Sequence, residues 1–156
     1  MIWYWVIALG LVAASALLHL AGVIRFVPSA HWTVWLVVAL VLLNGGWMAF
    51  DGGRALLVGD YVTPKSGKLA GTLGPWAKVV SAVGIRPRST FMKWTFVVYG
   101  LSYLALMGAL VLGESRAWWG LLVVALLGLW YVPFGFLINV LVIVLASLPV
   151  FRASIS

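Results

Sequence analysis

Four stretches of this chain are so apolar, and so long, that water is the wrong solvent for them. They cover about residues 2–24, 32–50, 92–112 and 117–149. At about 1.5 Å per helical residue, a run of some twenty residues crosses a hydrocarbon core of about 30 Å. Only 8% of the residues are charged and 65% are hydrophobic, whereas a soluble domain carries about 25% charged residues. The sequence therefore predicts an all-α, polytopic membrane protein with four transmembrane helices in a single domain.

The exception is residues 51–91, which water could tolerate. Between Asp51 and Lys93 lie Arg54, Lys65, Lys68, Lys78, Arg86, Arg88 and Lys93, most of the 10 basic residues in the chain. A net charge of +7 concentrated next to apolar spans points to an anionic lipid leaflet rather than to nucleic acid. Cysteine is absent, which excludes disulfides, thiolate catalysis and Cys-based metal sites.

The first run, Ile2 to Ile24, competes with a signal peptide, because Ala14-Ser15-Ala16 resembles a cleavage site. It lacks a basic leader and its apolar sequence continues past Ala16, so a retained helix is expected, anchored by Trp3, Tyr4 and Trp5. Arg25 to His31, with Pro28, forms a turn. In the second run Asn44-Gly45-Gly46 is an interruption and Asp51-Gly52-Gly53 a stop. Residues 75–83 read as a short amphipathic helix. Pro75 suits the first position, Gly84 the exit, and Trp76, Val79, Val80 and Val83 fall on one face. It is expected to lie on the membrane, with Trp76 as a wedge and Lys78 reaching headgroups, or to pack its apolar face on the bundle. The fourth run would be about 50 Å long as one straight helix. Pro133, followed by Gly135, predicts a kink, and a bent or tilted single span is expected. Two half-helices in a re-entrant loop are the alternative, and that arrangement needs protein or water around its free backbone groups.

Four spans put both ends and the central loop on one side. That side would hold Arg54, Lys65, Lys68, Lys78, Arg86, Arg88, Lys93 and Arg152, against Arg25 and Arg116 opposite. The positive-inside rule then places both termini and the loop in the cytoplasm, in a plasma or inner membrane.

Few residues can carry chemistry. Asp51 and Arg54, spaced i, i+3, permit an ion pair at a helix end. The run Asp51-Gly52-Gly53-Arg54-Ala55, with Gly59-Asp60 after it, resembles the start of the CDP-alcohol phosphotransferase motif. The resemblance stops at Asp60: the Arg and Ala are in reversed order, and the further aspartates that would hold two metals are missing. His19 and His31 fall in the outer half of the first two spans, the geometry of a bis-histidine haem, and otherwise read as hydrogen-bonded packing residues. Asn44 and Asn139 read as a clasp between helices or as the lining of a polar path. Trp130 to Phe134 suggest an aromatic pocket at the kink. Lys65, Lys68, Trp76, Lys78, Arg86, Arg88 and Lys93 form the expected lipid- or anion-binding set.

With no nucleophile and no complete ligand set, the leading expectation is a non-catalytic one. The chain would be a small membrane subunit or adaptor that packs on a partner membrane protein, or on itself as a homo-oligomer, and contacts anionic lipid through its loop. A small oligomeric transporter or flippase is the alternative, and a lipid-headgroup enzyme using Asp51 and Asp60 comes after it.

Overall fold

The computed structural model describes residues 30–156. They form α1 (Trp32–Val58), α2 (Trp76–Ala82), α3 (Thr90–Val111), α4 (Ala117–Leu127), α5 (Phe134–Ala146) and α6 (Pro149–Ser154), with no strand among the described residues. The expected 2–24 span and its Trp3, Tyr4 and Trp5 anchor lie outside them.

Two of these helices, α1 and α3, are long and apolar enough to cross a membrane, and α4 and α5 are shorter apolar helices. At 27 residues α1 is about 40 Å long. Asp51-Gly52-Gly53 does not stop it. The helix runs on to Val58 and ends where Gly59 turns left-handed at φ 98°, its amide bonded to Ala55 O. The reason lies at Gly52. A Cβ there would come within 2.6 Å of Phe96 Cβ and 2.9 Å of Lys93 O, so the glycine is a seat for α3. Gly100 repeats the device from the other side, where a Cβ would strike the Gly45 carbonyl and Ala49.

The buried residues of α1 include Val34, Val37, Val41, Asn44, Met48, Asp51 and Ala55, and those of α3 include Met92, Phe96, Gly100, Tyr103, Met107 and Leu110. The α1 series alternates threes and fours, the spacing of a coiled-coil seam, and the α3 series advances by threes and fours along one face. Ser89 caps α3 by accepting the Met92 amide at 3.2 Å.

The run 117–149 is not one bent helix. Residues 128–133 leave the helical path, and α5 returns antiparallel to α4. The contact that fixes the direction joins the two far ends: Trp118 Nε1, at the start of α4, donates to Ala146 O, at the end of α5, at 2.8 Å. The result is a helical hairpin, each arm about 20 Å or less by its rise. Its turn is inserted among α1, α3 and the 59–89 loop. The kink expected at Pro133 is instead a break that begins at Gly128, and the reversal comes from the packing of the two arms.

This hairpin also sets the end of the bundle at which residues 149–154 lie. Arg152 lies 4.5 Å over the Trp118 ring, and Ser154 Oγ accepts the His31 amide at 3.4 Å. The C-terminal helix α6 therefore sits at the Trp32 end of the bundle, opposite the 59–89 loop. Arg152 joins Arg116 there, and the expectation that it shares an end with the loop is overturned.

Because Gly100 and Gly52 set the approach of α1 to α3, Gly100→Val should destabilise the protein by about 1–3 kcal/mol through overpacking. Gly46→Ala, where a Cβ meets open space, should be neutral or slightly stabilising. Thermal unfolding of the two variants in detergent, followed by circular dichroism, measures the difference.

Candidate functional site

The hairpin turn meets the loop in an aromatic cluster. Trp76 lies 4.9 Å from Phe96 and 5.3 Å from Tyr61, ring centroid to centroid, and 6.1 Å from Trp130. Phe96 in turn lies 5.0 Å from Tyr61 and 5.4 Å from Tyr131. Trp76 is 6% exposed. A wedge in lipid would need an outward ring, so Trp76 is instead a plug over the hairpin turn. Of the expected face of α2, Trp76 and Val80 are buried while Val79 and Val83 are exposed. The helix ends as anticipated, with Gly84 at φ 82° and Ile85 N bonded back to Val80 O at 3.0 Å.

Three cations hold the loop in this position. Arg54 Nη1 donates to Asp60 O at 2.7 Å, and Lys93 Nζ donates to Gly59 O at 2.5 Å. Arg88 donates through Nε to Asp60 Oδ1 at 2.9 Å and through Nη2 to Gly71 O at 2.8 Å. Arg88–Asp60 is the salt bridge among the described residues. The expected Asp51–Arg54 ion pair does not form, because Arg54 reaches forward to the loop backbone. Asp51 accepts the Val62 amide at 2.7 Å instead, a bond that fastens the loop to α1. The Arg88 hydrogen bond holds the Asp60 carboxyl below the usual carboxylate range, with help from the Tyr61 amide, Arg88's charge and Lys93. Burial, and then the Asp51 and Asp60 charges, push the Tyr61 phenol far above its ordinary value.

The remaining members of the expected basic set, Lys65, Lys68, Lys78 and Arg86, are exposed and take no hydrogen bond or ion pair within the described residues. The expected set thus divides. Arg88 and Lys93 are spent inside the protein, and four cations remain on the surface.

Deeper in the bundle Asn44 Nδ2 donates to Asn139 Oδ1 at 3.2 Å, and the Tyr99 hydroxyl donates to the same oxygen at 3.3 Å. Asn44 and Asn139 are 3% and 0% exposed. They join α1 to the returning arm of the hairpin, as a clasp would. Gly128 makes room for them, since a Cβ there would collide with the Tyr99 hydroxyl and Asn139 Nδ2.

Between α1, the hairpin and the loop lies a cavity of about 420 Å³. Leu43, Asn44, Trp47 and Asp51 line it from α1, Phe134, Gly135 and Ile138 from α5, and Tyr61, Val62, Leu73 and Trp76 from the loop side. Trp47 Nε1 donates to the Tyr131 hydroxyl at 3.1 Å across it. Tyr61 was not singled out by sequence, because a lone tyrosine in a loop carries no periodic signal. Its position behind Asp60 and before the first loop amide held by Asp51 was the mark available.

His31 caps α1, its Nδ1 3.1 Å from Thr33 Oγ1. Its proposed haem partner His19 lies outside the described residues. Among the described residues no three His, Cys, Asp or Glu side chains gather in one place. Asp51 is bonded to the Val62 amide, and Asp60 to the Tyr61 amide and Arg88.

Trp76→Ala should cost about 3–5 kcal/mol, as for a buried tryptophan, and Val83→Ala less than about 0.5 kcal/mol; detergent unfolding curves decide. Loop order should also depend on pH. Asp60 has a lowered folded pKa, so its contribution is present above the unfolded value near 3.8 and fades as pH falls through the lower folded value. Amide hydrogen exchange at Tyr61 and Gly71 should rise over that acid range in the wild type. Asp60→Asn should show raised exchange at neutral pH and no such acid step. No family model, curated protein or solved structure matches the chain, so its geometry alone carries the functional reading.

Proposed function

We propose that this chain is a small integral membrane protein whose basic end rests on an anionic, cytoplasmic leaflet and whose outer faces meet lipid or another membrane protein. The single observation that carries this is the division of the loop's cations. Arg54, Arg88 and Lys93 build the loop, while Lys65, Lys68, Lys78 and Arg86 stand exposed and unpaired at one end of the bundle. Each such cation near an anionic surface contributes about 1 kcal/mol.

The bundle surface supports the membrane reading. Leu43 and Phe50 on α1, Val98 and Leu101 on α3, Leu127 on α4, and Phe134 and Leu137 on α5 are all more than half exposed. In water so much outward apolar surface would associate; in hydrocarbon it is favourable. Trp32 and Trp119 are exposed at one end and Trp94 at the other, as two interfacial belts require. The loop end holds seven described basic residues and the opposite end holds Arg116 and Arg152, so the positive-inside rule puts the loop in the cytoplasm and α6 on the far side.

The adaptor reading fits this arrangement best, because the stitched loop offers a fixed cationic face and the helices a continuous apolar one. The transporter or flippase reading draws on the cavity beside Asn44 and Asp51.

Two measurements test the proposal. Replacing Lys65, Lys68, Lys78 and Arg86 together by Gln should remove most of the preference for phosphatidylglycerol over phosphatidylcholine retained in nanodiscs, as read by mass spectrometry; an unchanged preference refutes the headgroup role. Because the chain has no cysteine, Ser66→Cys and Ser156→Cys give clean single labels. In cells and inverted vesicles they should react with an impermeant maleimide from opposite sides, Ser66→Cys from the cytoplasmic one.

A further inference from the structure

Asp51 is 4% exposed, and no basic side chain pairs with it among the described residues. Its one hydrogen bond is from the Val62 amide. Arg54 is near enough for its charge to act on Asp51 but is bonded to Asp60 O; a buried carboxylate with no bonded counter-ion is costly, and in a membrane segment it marks a functional position. It lines the cavity together with Tyr61, and the Tyr61 hydroxyl is buried with no hydrogen-bond partner. A carboxylate with a single backbone partner thus lines a cavity whose other walls are largely apolar.

The order of the wall matters. Leu43, Trp47 and Asp51 follow one another at i, i+4 and i+8 on one face of α1. Asp51 is about 28 Å along the helix from Trp32, close to the thickness of a hydrocarbon core. The carboxylate therefore stands at the headgroup level of the loop end, and Leu43 and Ile138 lie deeper. Polar at one end and apolar below is the polarity of a lipid in the leaflet that the loop faces.

We propose that this cavity holds one lipid whose headgroup carries a primary ammonium, with Asp51 as its counter-ion and an acyl chain along Leu43, Phe134 and Ile138. A primary ammonium has three N–H donors to offer the carboxylate, whose Oδ1 also accepts the Val62 amide. A quaternary ammonium has none, so choline lipids pair by charge alone. An anionic headgroup without an amine would meet a like charge at Asp51. The proposal rests on the membrane reading above, but not on the four surface cations.

The test uses the full chain purified in nanodiscs that contain phosphatidylethanolamine, its N-monomethyl and N-dimethyl forms and phosphatidylcholine, all with the same acyl chains. Native mass spectrometry reads which lipid stays bound. Wild-type protein should retain phosphatidylethanolamine over phosphatidylcholine by about tenfold or more, the weight of one charge-assisted hydrogen bond, with a fall at each methylation. Asp51→Asn keeps an acceptor for the Val62 amide and removes the charge; its preference should drop to near one. Tyr61→Phe, which keeps the ring in its aromatic cluster and removes a hydroxyl sealed from the cavity, should keep the preference. Equal retention of all four lipids by the wild type overturns the proposal, even if Asp51→Asn fails to fold. A preference that survives Asp51→Asn also overturns it, as does an empty site or a retained protein or soluble amine in place of lipid. Failure of the basic-loop reading looks different: the phosphatidylglycerol preference is missing while the methylation series keeps its steps. Failure of the membrane reading looks different again, since the chain would not enter nanodiscs.

Discussion

A backbone that leaves the helical path inside an apolar bundle must find partners for its amides and carbonyls within the protein. The turn of the α4–α5 hairpin faces this demand, and much of the structure is arranged to meet it. Part of the answer is local: Tyr131 N bonds to Gly128 O at 3.1 Å, Val132 N to Trp130 O at 2.9 Å, and Phe136 N to Tyr131 O at 2.8 Å. The rest comes from outside the turn. The rings of Trp76, from the loop, and Phe96, from α3, cover it, and the Asn44–Asn139 bond holds the returning arm to α1. The loop can supply Trp76 only while it is itself ordered. Arg54, Arg88 and Lys93 provide that order with bonds to loop carbonyls, and Arg88 adds its bridge to Asp60.

This dependence explains which parts could be read from the chain. Long apolar runs and the Pro75–Gly84 bracket are local signals, and α1, α3 and α2 form where those signals stand. The contact faces were harder to see. Both α1 and α3 are apolar all round, so hydrophobic periodicity does not distinguish a face that meets protein from one that does not. The useful marks were of another kind. Asn44-Gly45 and Asp51-Gly52 each set a polar residue beside a small one, seven positions apart, and both pairs fall on the buried seam. Asp51-Gly52-Gly53 reads as a terminus by glycine's helix propensity, yet Gly52 is there because Phe96 leaves no room for a Cβ.

The hairpin was legible as a break and not as a reversal. Pro133 and Gly135 mark the interruption, but nothing local tells whether the chain continues outward or turns back. That is decided by Trp118 meeting Ala146 and by Arg152 resting on Trp118, contacts between residues far apart in sequence. Sidedness counted from four crossings inherits the same gap, which is why Arg152 changes ends. The roles of the basic residues could not be separated by composition either. Arg86 and Arg88 are two positions apart; one is exposed and unpaired, while the other bridges Asp60 and Gly71.

The α4–α5 hairpin has both of its chain connections at the Trp32 end. At the opposite end its tip is free of any covalent tether and is kept in place by edge-on and tilted rings, by Trp47 on Tyr131, and by one amide pair. α1 and α3, by contrast, are interlocked through glycine seats along their length. The molecule is therefore a rigid two-rod frame with a docked insert, and whatever unseats the loop loosens the insert without stretching a single peptide connection.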